Sequence, residues 1–439
     1  MTTTPRILLV SDTTRRLNWG ARAASLALQQ HLTARLGPIT LLPAEISDNP
    51  ITIDTLLPAS IASPLLTRRN KNSAFQMYYS LERMLGMKAD YIEPDPAKSA
   101  QNIIDNRSWK SIGELYEAVL GADVVIVDGD GDMIFRNPAG RIPLFNLAVI
   151  ELAVRLGKQT HYINSIFADC PITGRNAEFL AHARSTLAKC ATVSLRDHTS
   201  IAHAKSIAPE LDTRYSPDAL FMWHERVATA ARDLPGNGDF AIAFPKEKSD
   251  FFGRIRFDRP YICLSGSSHA AFFQDQAVET YSALAAALRD HFKLDIYLTP
   301  ACHGDRYLFE VAARTSLAII PGEVPIMMAA GILANARVYV TGRYHPAILA
   351  SLGGTPTVFL GADSHKTQSV QDLLEYENPR TFSALPGPDD IKTIISQVEL
   401  ELSKSEDARD KIRVAARRRA NEAERVADFV SEKLPLVTR

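Results

Sequence analysis

The sequence predicts an α/β protein of two parallel-sheet domains facing each other across a cleft, with a C-terminal amphipathic helix. Three observations predict it. Short β-branched runs alternate with segments of helical period along most of the 439 residues, the pattern of parallel βαβ units. That length exceeds what one ordinary hydrophobic core accommodates, so two domains of usual size are expected. Near the middle, Asp233–Asp239 contains LPGNGD, whose proline and two glycines suit an exposed linker.

The elements follow in order. In a first domain over residues 1–232, strands are expected at Ile7–Ser11, Ile39–Leu42, Val124–Asp128, His161–Ile163 and Thr192–Leu195. Helical periodicity covers Leu144–Leu156 and Ala177–Lys189. The stretch 58–110 has no obvious strand and reads as a helical and loop insertion, either a surface embellishment or a lid. A second domain over residues 240–404 repeats the theme, with strands at Tyr261–Ser265, Asp295–Thr299, Leu317–Ile320, Val338–Thr341 and Thr357–Leu360. Its helices include Ala277–Asp290 and Pro325–Ala334. Residues 405–439 read as a charged helix with Ile412, Ala416, Ala423, Val426, Val430 and Leu434 near one face. Arg417, Arg418 and Arg419 suit anionic lipid head groups, but Glu422, Glu424, Asp428 and Glu432 offset them. Packing back across both domains is the stronger expectation.

Charge and composition exclude several classes. Lys and Arg number 49 against 50 Asp and Glu, a net charge of -1, without the basic excess a nucleic-acid partner usually requires. Hydrophobic residues are 46% and charged residues 23% of the chain, the balance of a globular protein. Cys170, Cys190, Cys263 and Cys302 are scattered, which suits a reducing compartment and neither a disulfide scaffold nor a zinc site. No secretory signal opens the chain and no run approaches the ~20 apolar residues of a membrane span. The expected location is cytoplasmic, with a peripheral contact at the inner membrane face left open. No cofactor and no metal are expected.

The segment VYVTGRYHPAILASLGGTPTVFL, Val338–Leu360, is the most informative. A strand runs to Thr341, Gly342 allows a tight turn, and Pro346 suits the first position of a helix, with His345 at or beside its N-cap. Gly353 and Gly354 stop that helix. A helix start at the carboxyl end of a parallel strand presents free N–H groups and a positive dipole end to an anion. Arg343 adds a forked cation and His345 a group able to exchange protons near neutral pH. Lys366 follows in the loop ADSHKTQS, and neighbouring loops at strand ends converge on one crevice. Taken alone, Arg-x-His more often caps a helix and pairs with an acid; with the glycines and Lys366 beside it, an anion site is the better reading.

Other segments carry weaker signals. In TVSLRDHTS, Arg196 leaves a strand and Asp197 suits an N-cap; a structural salt bridge is the alternative. In YICLSGSSHAA, Gly266, Ser267 and Ser268 could bind phosphate oxygens, without the lysine pattern of a nucleotide loop. In NWGARAASLAL, Gly20 permits close backbone approach while Asn18, Trp19 and Arg22 suit a sugar, although a lone Trp is more often packing. The acids of DGDGDM lack calcium-loop spacing, so Asp130 and its neighbours read as a loop at the domain interface.

Together these residues resemble the polysaccharide pyruvyl transferase family. The resemblance lies in NWGARAAS, in ADVVIVDGDGDMI, in VSLRDHTS followed by SPDALF, and above all in GRYHPAILASLGGTPTVFLGADSHK, spanning Arg6 to Leu373. It implies two Rossmann-like domains in the arrangement of GT-B glycosyltransferases, with the acceptor side first and the donor side second. It implies phosphoenolpyruvate as donor and a saccharide, free or lipid-linked, as acceptor. Arg196, Arg343 and Lys366 match donor-binding positions, His345 the catalytic or donor-contacting histidine, and Asp218 the family's aspartate after the strand that closes the first domain. Two departures stand out: Asp130 interrupts what is usually a run of glycines, and Ala21 follows Gly20 where many members have Asp. Both fall where the acceptor is expected. The competing readings are a nucleotide-sugar-dependent glycosyltransferase of the same architecture and a non-catalytic saccharide-binding relative.

Overall fold

A computed structural model describes residues 2–3, 5–44, 91–108, 110–234, 255–435 and 437–438. Its core is two six-stranded parallel sheets. The first contains β1 (Ile7–Asp12), β2 (Ile39–Pro43), β3 (Val124–Asp128), β4 (Gln159–Ser165), β5 (Thr192–Leu195) and β6 (Thr213–Tyr215) in the order β2-β1-β3-β4-β5-β6. The second contains β7 (Tyr261–Ser267), β8 (Asp295–Leu298), β9 (Ala318–Ile319), β10 (Val338–Gly342), β11 (Thr357–Leu360) and β12 (Thr381–Phe382) in the order β9-β8-β7-β10-β11-β12. Central strands such as β3, β5 and β10 are buried on both faces, which is why they read as continuous apolar runs rather than alternating ones. The edge strands β6 and β12 have three and two residues, too short to leave a periodic signal, and the sequence pattern misses them.

Six helices position the functional loops: α1 (Trp19–Leu36), α2 (His198–Ile207), α3 (Tyr344–Leu352), α4 (Lys366–Leu373), α5 (Glu406–Ala423) and α6 (Arg425–Ser431). Asp197 caps α2 as expected, its Oδ1 accepting the Ser200 N–H at 2.6 Å. In α3 the start lies earlier than the sequence suggests. Arg343 is the N-cap, His345 the second helical residue and Pro346 the third, because the Arg343 N–H already donates to Thr341 Oγ1 at 3.0 Å and closes the turn. Proline is tolerated there as well, since first-turn N–H groups have no helical partner. Gly353 caps the end and Gly354 follows at φ +80°.

The C-terminal helix is present but broken at Glu424 into α5 and α6. Arg409 Nη1 in α5 donates to the Ala336 carbonyl at 3.2 Å, and Arg413 Nη1 to Gly353 at 3.0 Å, both in the second half of the chain. In α6, the Phe429 carbonyl accepts from Thr192 Oγ1 at 3.1 Å, Asp428 pairs with Arg35, and Val426, Ala427 and Val430 are buried. Helix α5 packs against Ala219–Trp223 of the first half as well as α3 of the second, while α6 packs against β4 and β5, so the segment ties the two halves together. Arg418 and Arg419 both pair with Glu375, and Arg419 also with Glu422. Among the described residues no helix is long and apolar enough to cross a membrane.

Of the insertion read over 58–110, a helix at Pro96–Asp105 and the start of another at Lys110–Gly121 are described; residues 58–90 and Trp109 lie outside the described residues, as do 235–239 of the expected linker.

Candidate active site

The carboxyl ends of the two sheets meet around Arg196, at the end of β5. This side chain has no exposed surface. Its guanidinium lies 4.0 Å from the centre of the Tyr344 ring, a cation–π contact made stronger by burial. Nη1 donates to Asp218 Oδ2 at 2.9 Å and to Asp130 Oδ1 at 3.0 Å. Nε and Nη2 are buried without a hydrogen-bond partner among the described residues. Leaving charged donors unpaired costs several kcal/mol, so natural structures rarely retain them without use.

His345 joins the same cluster from the other sheet. Its Nε2 lies 3.0 Å from Asp218 Oδ2, 3.2 Å from Asp130 Oδ1 and 3.1 Å from Arg196 Nη1. Burial alone would raise the Asp218 carboxyl, but His345, Arg196 and the Leu220 N–H outweigh it and hold it down at about 2. Asp128 is pushed up, by burial first and then by Asp130. Asp132 is raised to about 6 by burial and by Asp130, against the pull of Lys366, Arg16 and Arg196.

Two further cations complete the site. A β-carbon on Gly131 would sit 3.0 Å from Arg196 Nη2 and 3.4 Å from Lys366 Nζ, so both cations lie beside this glycine. Lys366 opens α4 and its Nζ lies 3.3 Å from Asp363 Oδ1. The Asp363 carboxyl, which burial would raise, is held low by Lys366, by Ser268 and, more weakly, by Arg343. Arg343 donates from Nε and Nη2 to Asp305 Oδ1 at 3.0 and 2.6 Å. Each of the three cations therefore already faces a carboxylate: the buried Asp218 and Asp305, and the part-buried Asp363. Buried charges need partners, and a count of two Arg and one Lys in the sequence does not show how far they are neutralised.

The remaining sequence candidates fall into two groups. Asp130 and Asp218 lie within the cluster itself. Asn18, Gly20, Arg22, Gly266, Ser267 and Ser268 shape its surroundings. The Asn18 side chain caps α1, Trp19 is fully buried with Nε1 donating to the Gly322 carbonyl at 3.0 Å, and Arg22 Nε donates to the Arg16 carbonyl at 3.1 Å. Gly20 does permit close approach, but to His345: a β-carbon there would lie 2.3 Å from His345 Cβ. Gly266 makes room for Asp305, whose Oδ1 would be 1.9 Å from an added β-carbon. Ser267 Oγ accepts the His269 N–H at 3.0 Å, and Ser268 Oγ donates to Asp363 Oδ1 at 2.8 Å. Their hydroxyls hold loops, a role the strand-Gly-Ser-Ser pattern does not separate from phosphate binding.

Sequence reasoning missed Tyr344, Asp305, Asp363 and His365. His365 Nε2 lies 3.1 Å from both Asp197 Oδ1 and Ser200 Oγ, clasping the two sheets beside Arg196 and Lys366. Only their adjacency to named residues, Tyr344 between Arg343 and His345 and His365 before Lys366, could have drawn attention to them. Among the described residues no group of three or more His, Cys, Asp or Glu side chains is arranged to hold a metal ion.

The family model for polysaccharide pyruvyl transferase matches residues 25–364, which include Arg196, Arg343 and His345 and stop two residues short of Lys366. The chain belongs to the polysaccharide pyruvyl transferase family. No curated protein matches it. Solved structures similar to it include UDP-GlcNAc 2-epimerase from Neisseria meningitidis bound to UDP-GlcNAc, at 12% identity and TM-score 0.55, covering 98% of this chain and 99% of that one. The Methanocaldococcus jannaschii UDP-GlcNAc 2-epimerase in complex with UDP-GlcNAc and UDP follows at 10% identity and TM-score 0.53, covering 94% and 98%. Trehalose-6-phosphate synthase OtsA also has 10% identity and TM-score 0.53, covering 99% of each chain. These similarities establish a GT-B-like fold for this pyruvyl transferase relative.

Proposed function

We propose that this pyruvyl transferase moves the pyruvyl group of phosphoenolpyruvate onto two hydroxyls of a saccharide, forming a cyclic pyruvate ketal in polysaccharide or exopolysaccharide assembly. One observation carries the choice of donor: Arg196 keeps two buried, unpartnered N–H donors, and one of them, Nη2, lies beside Gly131 together with Lys366 Nζ. Phosphoenolpyruvate has a carboxylate and a phosphate, about three negative charges in all. In this reading Arg196, Lys366 and Arg343 bind it, and the donors stand preorganised for charge that develops in the transition state. His345 acts as the proton carrier, a role typically worth ~10²–10⁴-fold.

Protonation of the donor's methylene carbon makes C2 electrophilic. One acceptor hydroxyl adds to C2, phosphate leaves, and the second hydroxyl closes the ring. Residues 1–232 form the acceptor side, 240–404 the donor side and 405–439 the segment tying them. The enzyme works in the cytoplasm without cofactor, metal or nucleic acid. Pairing of Arg418 and Arg419 with acids leaves little charge there for anionic lipid, so a lipid-linked acceptor would be reached through the cleft rather than through α5.

Calorimetric titration with phosphoenolpyruvate tests the donor, using wild type and Arg343→Ala. Saturable binding that the substitution weakens at least tenfold (about 1.4 kcal/mol) is expected. Binding of UDP-sugars in place of phosphoenolpyruvate would overturn the reading in favour of a nucleotide-sugar glycosyltransferase. Saccharide binding without phosphate release would mark a non-catalytic relative.

A further inference from the structure

The loop between β3 and the next helix holds a residue whose backbone and side chain are both unusual. Asp130 adopts φ +42°, in the left-handed region that a side chain rarely enters. It stands between Gly129, which has no room for a side chain because a β-carbon would lie 2.4 Å from Ser165 Oγ, and Gly131, where one would press on Arg196 Nη2 at 3.0 Å. The backbone is pinned on both sides, with the Asp130 N–H donating to Asp128 Oδ1 at 3.2 Å and its carbonyl accepting the Ile166 N–H at 3.1 Å. Glycine would fit this conformation with less strain. A carboxylate placed there instead, 3.0 Å from Arg196 Nη1 and 3.2 Å from His345 Nε2, is the kind of outlier that collects at functional sites.

The proton balance of the proposed reaction says what such a group could do. Two acceptor hydroxyls each lose a proton; one proton ends on the methylene carbon and the other on the departing phosphate. Addition across the donor's double bond needs an acid at C3 and a base at the attacking hydroxyl in the same step. His345 cannot be both at once. Asp218 is a poor second carrier: it has no exposed surface, its Oδ1 is committed to the Leu220 N–H at 2.9 Å, and its carboxyl is held ionised down to about 2. Asp130 keeps 17% of its side chain exposed and lies against Arg196 of one sheet and His345 of the other.

We propose that Asp130 is the second catalytic acid–base group of the pyruvyl transfer, the base for the first acceptor hydroxyl, working as a pair with His345. This rests on the pyruvyl-transfer reading. The acceptor O–H gives its proton to the Asp130 carboxylate as its oxygen bonds to C2; the C2=C3 electron pair takes a proton from the His345 imidazolium, forming the methyl group. The second hydroxyl then bonds to C2 and returns its proton to His345, while the C2–O bond to phosphate breaks and the phosphate leaves with the proton held by Asp130. Both groups end as they began. Because the Asp130 carboxylate also pairs with Nη1 of Arg196, it repels an anionic donor held by the other N–H groups of that guanidinium, so its removal strengthens donor binding while it slows turnover.

The test measures phosphate release and donor affinity for wild type, Asp130→Gly and Asp130→Asn, with phosphoenolpyruvate and p-nitrophenyl pyranosides of glucose, galactose and mannose. Glycine suits φ +42°, so Asp130→Gly keeps the fold, and Asp130→Asn preserves the shape if it does not. Both variants should bind phosphoenolpyruvate at least as tightly as wild type and turn over on the order of 100-fold or more slowly. Formate, which fits the space left in Asp130→Gly, should restore its turnover about tenfold or more while leaving Asp130→Asn unchanged. A merely structural role predicts weaker donor binding and no response to formate, and that result overturns the proposal. So does unimpaired turnover in either variant beside an active wild type, which leaves the pyruvyl-transfer reading standing. A wild type that forms no ketal with any acceptor overturns that reading first, and this one with it.

Discussion

Gly20→Ala tests whether turnover depends on where His345 sits. An added β-carbon would lie 2.3 Å from His345 Cβ and 3.0 Å from its Cγ and Nδ1. Carbon atoms in contact settle at ~3.5–4.0 Å, so the two groups must separate by roughly 1.2 Å or more. The strain falls on His345, whose far edge is held by Asp218 and Asp130, and on α1, whose first residue is tied to the Ala301 carbonyl at 2.9 Å. A displacement of about 1 Å at a catalytic group costs on the order of 10²-fold in rate, ~2.7 kcal/mol of barrier. Overpacking of this kind destabilises by about 1–3 kcal/mol, which a well-packed protein tolerates. The assay is phosphate release under saturating phosphoenolpyruvate, with calorimetric donor affinity and thermal unfolding measured alongside. The expected result is a folded variant with kcat down about 100-fold and donor affinity changed less than about tenfold. A folded Gly20→Ala protein with wild-type kcat would refute the reasoning, since the crowding is unavoidable and only the importance of His345 would remain to be abandoned.

Two other outcomes are expected. Arg196→Lys keeps a charge but loses the planar fork over Tyr344 and its unpartnered donors, so phosphoenolpyruvate affinity should fall about 10²-fold in calorimetry; unchanged affinity would remove Arg196 from the donor site. Asp132, whose folded pKa of about 6 lies above the ordinary value of 3.8, costs stability wherever it is forced to ionise. That cost is absent below about pH 4 and complete above about pH 6, so Asp132→Asn should stabilise the fold at pH 8 by on the order of 1–3 kcal/mol and leave it unchanged at pH 4. Equal thermal shifts at the two pH values would contradict this assignment.

Much of the fold is legible because a buried parallel strand announces itself: Val338–Thr341 and Val124–Asp128 are apolar runs bounded by turn residues, and both are strands. Edge strands such as Thr213–Tyr215 are held by a single neighbour and carry no such pattern. In the site, Arg196, Arg343, His345 and Lys366 could be picked out because each follows a strand or opens a helix. Their carboxylate partners could not, since Asp305 meets Arg343 across 38 residues and Asp218 meets His345 across 127. Asn18, Gly20 and Ser267 were legible as special positions but not as to purpose: the same residue types serve a cap, a close helix contact or a ligand equally well. Only the three-dimensional partner decides.

The late place of α6 in the chain has a consequence for the order of synthesis. Helix α6 covers part of the first sheet, and its contact from Phe429 to Thr192 in β5 spans 237 residues. Ribosomal synthesis adds ~5–20 residues per second. The first sheet thus waits tens of seconds, with the apolar surface that Val426, Ala427 and Val430 will cover still open, before the segment that seals it exists. The nascent chain carries that exposed face through the making of the entire second sheet, a window in which chaperone binding would have a defined place on the molecule.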